Sequence, residues 1–168
     1  MYISKKNIIF AADLDAKTLH TCVRACPSRG KEYIRIAMMT KEEKVAYWLD
    51  IAEYDMETAE AMYKTKRWLY VAFMCHQVIE KAIKAYWSSK RDDIPPYVHN
   101  HMRLADGCGL YELMDENQKT FLEVITNYNI EARYPEDKAA LSRTLSPKVC
   151  RGLIDDTKQL LQWIKEKL

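Results

Sequence analysis

Apolar residues recur at three- and four-residue steps along two long stretches of the chain, which is the spacing of one helix face. The first stretch predicts a helix over residues 41–64. Thr40 stands directly before this helix and Glu43 lies in its first turn. A Thr followed three places later by Glu is the pattern of a capping box. The second stretch predicts a helix over residues 67–90, and a pair of prolines follows it. Because few residues join the two helices, they should lie antiparallel.

Shorter elements follow the prolines. A short helix should end near Gly107 and Gly109, and Asp115 should cap a third substantial helix. Ser146 and Pro147 then open a last helix with a cap and a proline at its first position. No segment shows the alternation of a strand. The sequence therefore predicts an all-α fold, an antiparallel up-and-down bundle of about five helices.

Residues 1–39 differ from the rest. Pro27, Ser28 and Gly30 interrupt them, and no sustained apolar period runs through them. Their seven basic and three acidic side chains give a charge of +4, so the remaining chain carries −2 of the total of +2. We predict an N-terminal extension over residues 1–39 and one helical domain over residues 40–168. Met39 stands directly before Thr40, and we hypothesise that the native protein starts there, without the extension.

Composition limits the compartment and the ligands. No apolar run is long enough to cross a bilayer, and five scattered cysteines do not resemble a disulfide framework, so we expect a cytoplasmic protein without membrane contact. His20, Cys22 and Cys26 lack the fourth ligand of a closed zinc site. We therefore expect neither a bound metal nor a cofactor. The helical domain is slightly acidic, which argues against non-specific electrostatic binding to the phosphate backbone of a nucleic acid.

Three blocks of residues follow a known pattern in order and spacing. The second predicted helix contains His-Gln-x-x-Glu-Lys-x-x-Lys, and His99-Asn100 is followed by Leu104-Ala105. Ala132-Arg133-Tyr134-Pro135 comes later. Together these blocks resemble the HEPN family (higher eukaryotes and prokaryotes nucleotide-binding) over about residues 40–168. The residues that match the first block are His76, Gln77, Glu80, Lys81 and Lys84.

The resemblance implies a helical homodimer that binds a nucleotide or RNA. It also implies the family branch that works with a minimal nucleotidyltransferase as partner protein, in a toxin–antitoxin-like pair. The number of large apolar and aromatic side chains favours self-association as well, and Trp48, Trp68 and Trp87 are the expected anchors.

The chain departs from the HEPN ribonucleases, which carry an Arg followed four to six residues later by His. No such pair stands here. The resemblance therefore favours a domain that binds without catalysis. One alternative is a ribonuclease that cleaves RNA without metal, in which His99 or His101 converges with Arg133 in space, and a purely structural adaptor is a third interpretation. His101 also replaces the Leu usual in the family, so its ring should turn outward or find a hydrogen-bond partner.

Arg133 is the leading candidate contact, because its planar fork suits a phosphate and the ring of Tyr134 offers a stacking face for a base. Structural interpretations remain open beside the functional one. His76 can be a buried, hydrogen-bonded core residue, Glu80 with Lys84 an ordinary helix pair, and His99 a tether for its loop. A salt bridge to a nearby Glu would likewise explain Arg133. The predicted nucleotide contacts are Lys81, Lys84, His99, Arg103, Arg133 and Tyr134.

Overall fold

Helices make up all the regular secondary structure in residues 34–129 and 144–168, the residues that the computed structural model describes. A single helical turn covers residues 34–37. The helices are α1 Lys41–Lys64, α2 Trp68–Lys90, α3 His101–Gly107, α4 Glu116–Asn127 and α5 Pro147–Lys165, with a 3₁₀ turn at Tyr111–Leu113. The predicted all-helical class is confirmed. By its internal contacts the chain divides into residues 1–44 and residues 45–168.

Side-chain caps start the helices where the sequence predicts. The amide of Thr40 donates to Glu43 Oε2 (2.8 Å), and the amide of Glu43 donates to Thr40 Oγ1 (3.2 Å). Asp115 forms a second capping box with Gln118 at the start of α4. The Ser146 side chain caps α5, whose first residue is proline. Each cap satisfies amides that the first helical turn leaves without partners.

The chain reverses between α1 and α2 through a left-handed residue that is not glycine. Lys66 has a φ of 59°, and the amide of Arg67 donates to the Met62 carbonyl at 2.8 Å. The amide of Lys66 donates to the Tyr63 carbonyl at 3.0 Å. This pair of bonds is the Schellman closure of a helix end, and a side chain in this conformation costs about 1 kcal/mol.

Ion pairs fix the direction of α1 against α5. Glu53, early in α1, pairs with Lys165 at the end of α5. Glu60, about two turns later, pairs with Lys158 (2.5 Å) and Arg151 (3.1 Å), which come earlier in α5. Because later residues of one helix meet earlier residues of the other, α1 and α5 run antiparallel.

Helix α2 lies at the centre of the bundle and packs against α3, α4 and α5. Most of its residues between Val71 and Ser88 are buried, which is typical of a helix enclosed on nearly all sides. Polar side chains on such a helix need partners inside the protein. The fully buried core side chains include Ala52, Ala59, Val78, Ile79, Ile83, Leu104, Leu122, Ile125, Ile154 and Ile164.

Two of the predicted dimer anchors lie inside the protomer. Trp48 and Trp87 are each only 7% exposed, and Trp68 is partly buried. The indole of Trp87 donates to Asp93 Oδ1 at 2.9 Å. The expectation that these rings anchor a dimer is therefore wrong for Trp48 and Trp87, because their apolar surface is already covered. Within residues 34–129 and 144–168, no helix has the length and apolar character to cross a bilayer.

Candidate functional site

A row of polar side chains runs along the buried side of α2. His76, Glu80 and Lys84 are spaced four residues apart, which places them on one side of a helix. All three are buried in the centre of the bundle. Burying an ionised group costs several kcal/mol unless opposite charges and hydrogen bonds compensate it. These three side chains therefore need hydrogen bonds and opposite charges from their neighbours inside the bundle.

The carboxylate of Glu80 is the centre of the cluster. Its Oε1 accepts hydrogen bonds from Lys84 Nζ (2.7 Å) and Lys81 Nζ (3.4 Å). Its Oε2 lies 2.7 Å from His99 Nδ1 and 3.7 Å from His76 Nε2. Burial acts to raise the pKa of Glu80, but the imidazole of His76 and the charges of Lys81 and Lys84 outweigh it and hold the pKa well below its usual range. Glu80 is therefore ionised at neutral pH.

The hydrogen bond to α4 fixes the orientation of His76. Its Nδ1 lies 3.0 Å from the Ile125 carbonyl oxygen. Because a carbonyl can only accept, Nδ1 carries the hydrogen and donates it. The other nitrogen, Nε2, is buried near Glu80 Oε2 and has no hydrogen-bond partner among the described residues. A hydrogen on Nε2 would point at the Glu80 carboxylate and lower its pKa, whereas a ring without that hydrogen has its lone pair there.

The ring of His101 packs beside that of His76, with 4.2 Å between ring centroids and 33° between the planes. It is fully buried, and in the part of the chain that the structure describes neither of its nitrogens has a partner. Burial, with a smaller contribution from His76, lowers the pKa of His101 well below its ordinary value, so the ring is neutral. Within the described residues His101 neither turns outward nor finds a hydrogen bond, contrary to both expectations.

His99 connects the cluster to solvent. It lies in the loop between α2 and α3, its side chain is 58% exposed, and its Nδ1 contacts the buried Glu80. Its neighbour Asn100, rather than His99 itself, caps α3 by accepting from the amide of Arg103. His99 therefore tethers its loop to α2 while the rest of its ring remains accessible.

The structure brings three of the predicted contacts together and separates a fourth from them. Lys81, Lys84 and His99 all meet on Glu80, whereas Arg103 is exposed on α3 and makes none of the cluster's contacts. Lys84 also lies near two aromatic rings, those of Trp48 (5.2 Å) and Tyr97 (5.7 Å). The two remaining predicted contacts, Arg133 and Tyr134, lie outside the described residues.

Comparison with known protein families identifies the same family that the sequence pattern resembles. The model of the HEPN domain matches residues 45–168. The chain belongs to the HEPN family. In general terms, membership supports a nucleotide-binding or ribonuclease-type module.

A solved structure agrees with this HEPN fold. The chain is similar to the crystal structure of TT1696 from Thermus thermophilus, with a TM-score of 0.66 and 19% sequence identity. The match covers 74% of this chain and 98% of that one. At this identity the likeness shows the fold alone. No curated protein sequence matches the chain.

Sequence reasoning did not predict the surroundings of two acids of this HEPN domain. Glu80 was interpreted as half of a helix pair with Lys84, and the role of Asp55 in α1 was not considered. Asp55 is partly buried, and burial raises its pKa, with an opposing effect of Lys81 and a smaller raising effect of Glu80. The signal for Glu80 was available, because residues 76, 80 and 84 share one side of a helix whose other buried positions are almost all apolar.

Proposed function

We propose that this HEPN domain binds the phosphate of a nucleotide or RNA beside His99 without cleaving it. The observation that carries the proposal is the 2.7 Å contact between the exposed His99 ring and the buried Glu80 carboxylate. A buried ionic cluster is weak evidence of stabilisation, and strongly perturbed carboxylates occur often at functional sites. This cluster reaches solvent through His99.

The charges around His99 suit a weakly bound anion. Glu80 and Lys84 are both buried and together neutral, so Lys81 adds a positive charge beside them. The bonds of Lys81 to Gln77 and Glu80 hold its side chain in place before a ligand arrives, which reduces the entropy lost on binding. The nearby Asp55 opposes an anion, and we therefore expect modest affinity.

Further contacts come from three residues outside the cluster. Arg103 is exposed on α3, four positions after His99. From the family resemblance we also assign Arg133 and Tyr134 to the site, with Arg133 as the strongest single contact because its fork can bind a phosphate through two parallel hydrogen bonds.

Two features of the chain support binding without cleavage. The Arg-to-His spacing of HEPN ribonucleases is absent from the sequence. The other histidine near the cluster that a ribonuclease could use, His101, is fully buried and cannot reach a substrate.

One observation favours the ribonuclease as a second candidate. A carboxylate on Nδ1 of an exposed histidine is how many enzymes orient a general base, and Glu80 contacts His99 in this way. Cleavage would then need His99 Nε2 for proton transfer and Arg133 for the phosphate.

Binding and cleavage assays on four variants test both candidates. We expect Arg133→Ala to weaken binding of a labelled nucleotide about ten- to a hundredfold, since a hydrogen bond to a charged group contributes roughly 1.5–3 kcal/mol. His99→Ala and Lys81→Ala should have smaller effects. Lys148→Ala, which removes an exposed charge on α5, is the matched control and should bind like the wild type.

Equal affinity for the wild type, Arg133→Ala and His99→Ala would remove the proposed site. Incubation with labelled single-stranded RNA decides between binding and cleavage. Cleavage that disappears in both His99→Ala and Arg133→Ala would establish the ribonuclease instead.

We also propose that the domain forms a homodimer and works with a nucleotidyltransferase in a toxin–antitoxin-like pair, as the family resemblance implies. A nucleotidyltransferase reading frame beside its gene, whose product copurifies with this chain, is the expected result. A monomer mass by light scattering would contradict the homodimer, and a neighbouring nucleotidyltransferase that does not bind the chain would contradict the pairing.

A further inference from the structure

Three metal-binding side chains meet at one point of the cluster. One ligand atom from each of His76, Glu80 and His99 lies within 4.8 Å of the others. Two imidazole nitrogens and a carboxylate oxygen form a ligand set that zinc accepts, and three protein ligands leave a fourth position for water or a substrate. We propose that His76, Glu80 and His99 bind one divalent transition-metal ion of the zinc class. This inference does not depend on nucleotide binding.

The unpartnered nitrogen of His76 is the observation that points to an ion. Because Nδ1 donates to the Ile125 carbonyl, the lone pair of a neutral ring is on Nε2. That atom is buried, 3.7 Å from Glu80 Oε2, and without a hydrogen-bond partner among the described residues. A lone pair beside an anion is unfavourable, and either a proton on Nε2 or a metal ion between the two atoms removes the repulsion. Metal-binding histidines also commonly donate their other N–H to a carbonyl.

Glu80 has one oxygen available for the ion. Lys84 and Lys81 both donate to Oε1, whereas the neighbours of Oε2 are the two histidines. The carboxylate can therefore bind through Oε2 alone while the lysines hold the other oxygen in place. The positive charges of the lysines oppose a dication, so the affinity should be lower than that of a closed structural zinc site.

His99 completes the ligand set and provides access. Its side chain is mostly exposed, so an ion can reach the buried oxygen and nitrogen from solvent. The Nδ1 of His99 contacts Glu80 Oε2. When an ion binds at Nδ1, a neutral ring carries its hydrogen on Nε2 instead, because Nδ1 then needs its lone pair for the metal. The spacing of His76 and Glu80, one turn apart on α2, places two ligands on one rigid element.

Cobalt and zinc titrations of the full chain, stripped with a chelator and desalted, test the site. We expect one Co²⁺ per chain with a visible absorption spectrum, displaced by Zn²⁺. His99→Ala changes an exposed side chain and should retain the fold, and we expect it to weaken Co²⁺ binding at least tenfold. Glu80→Gln should do the same if circular dichroism shows that it folds.

The matched control is His20→Ala, because His20 is close in sequence to Cys22 and Cys26 and lies outside the described residues. Unchanged cobalt binding in this variant supports the site on α2. Loss of binding in His20→Ala, equal affinity in His99→Ala, or no cobalt spectrum in the wild type would each overturn the proposal.

Discussion

Replacing His101 with leucine should stabilise this protein, although the substitution lies in the middle of its core. The imidazole is fully buried and neither nitrogen has a partner among the described residues. A buried polar group without a partner costs about 1–3 kcal/mol. Leucine fills a similar volume without that cost, but it loses the ring contact with His76, worth about 0.5–1.5 kcal/mol for aromatic pairs. We therefore expect a net gain of about 1 kcal/mol in the free energy of unfolding.

Urea unfolding at pH 7.5 with a chelator present measures this gain, because His101 is neutral there and bound metal adds no stability. With an m value of about 1–3 kcal/mol per molar, the midpoint should rise by roughly 0.3–1 M. His76→Leu is the matched comparison, and it should lower the midpoint because it removes the buried hydrogen bond to the Ile125 carbonyl, whose remaining donor is the amide of Tyr128 at 3.3 Å. A lower midpoint for His101→Leu would refute the reasoning.

Two further predictions concern packing and pH. A Cβ on Gly107 would lie 2.6 Å from the Trp87 ring, so Gly107→Ala should lower the unfolding free energy by about 1–3 kcal/mol. Gly152→Ala, with no atom within 4 Å, should instead raise it by up to about 1 kcal/mol in the same urea assay, and equal effects would contradict the packing. The Lys158 hydrogen bond is the main cause that lowers the pKa of Glu60, so this carboxylate stabilises the fold above its unfolded pKa and loses that effect as pH falls through the folded value. Glu60→Gln should therefore cost about 0.5–1 kcal/mol at pH 7 and nothing in strong acid, and a loss that does not vary with pH would contradict the ion pair.

Local signals were enough to predict the helices. The predicted range 41–64 matches α1, and the predicted start of α2 at residue 67 differs from the observed one by a single position. Capping residues and apolar spacing act within one or two turns, so they can be recognised in one sequence. The left-handed conformation of Lys66 could not be predicted, because it favours glycine. Only the packing of the two helices that Lys66 connects compensates its conformational cost.

The burial of the Glu80–Lys84 pair was harder to predict than the helix that carries it. A Glu followed four residues later by Lys is common on exposed helix faces; the structure contains this pair, at 2.7 Å, but buries both side chains. Whether such a pair is buried depends on which helices pack around α2. These are α3, α4 and α5, which follow later in the sequence, so no local pattern in α2 reveals them.

The contact between His99 and Glu80 could not be predicted from any local pattern, because 19 positions and a loop with two prolines separate them. Their meeting nevertheless carries most of the functional argument. An apolar cluster would stabilise the centre of α2 at lower cost than a carboxylate with lysines and histidines around it. The exposed His99 ring contacts both the buried Glu80 carboxylate and solvent. A ligand that binds this ring can therefore interact with the cluster without entering the core. Both a phosphate beside Nε2 and a metal ion at Nδ1 would use the same ring, and the His99→Ala variant therefore belongs in both experiments.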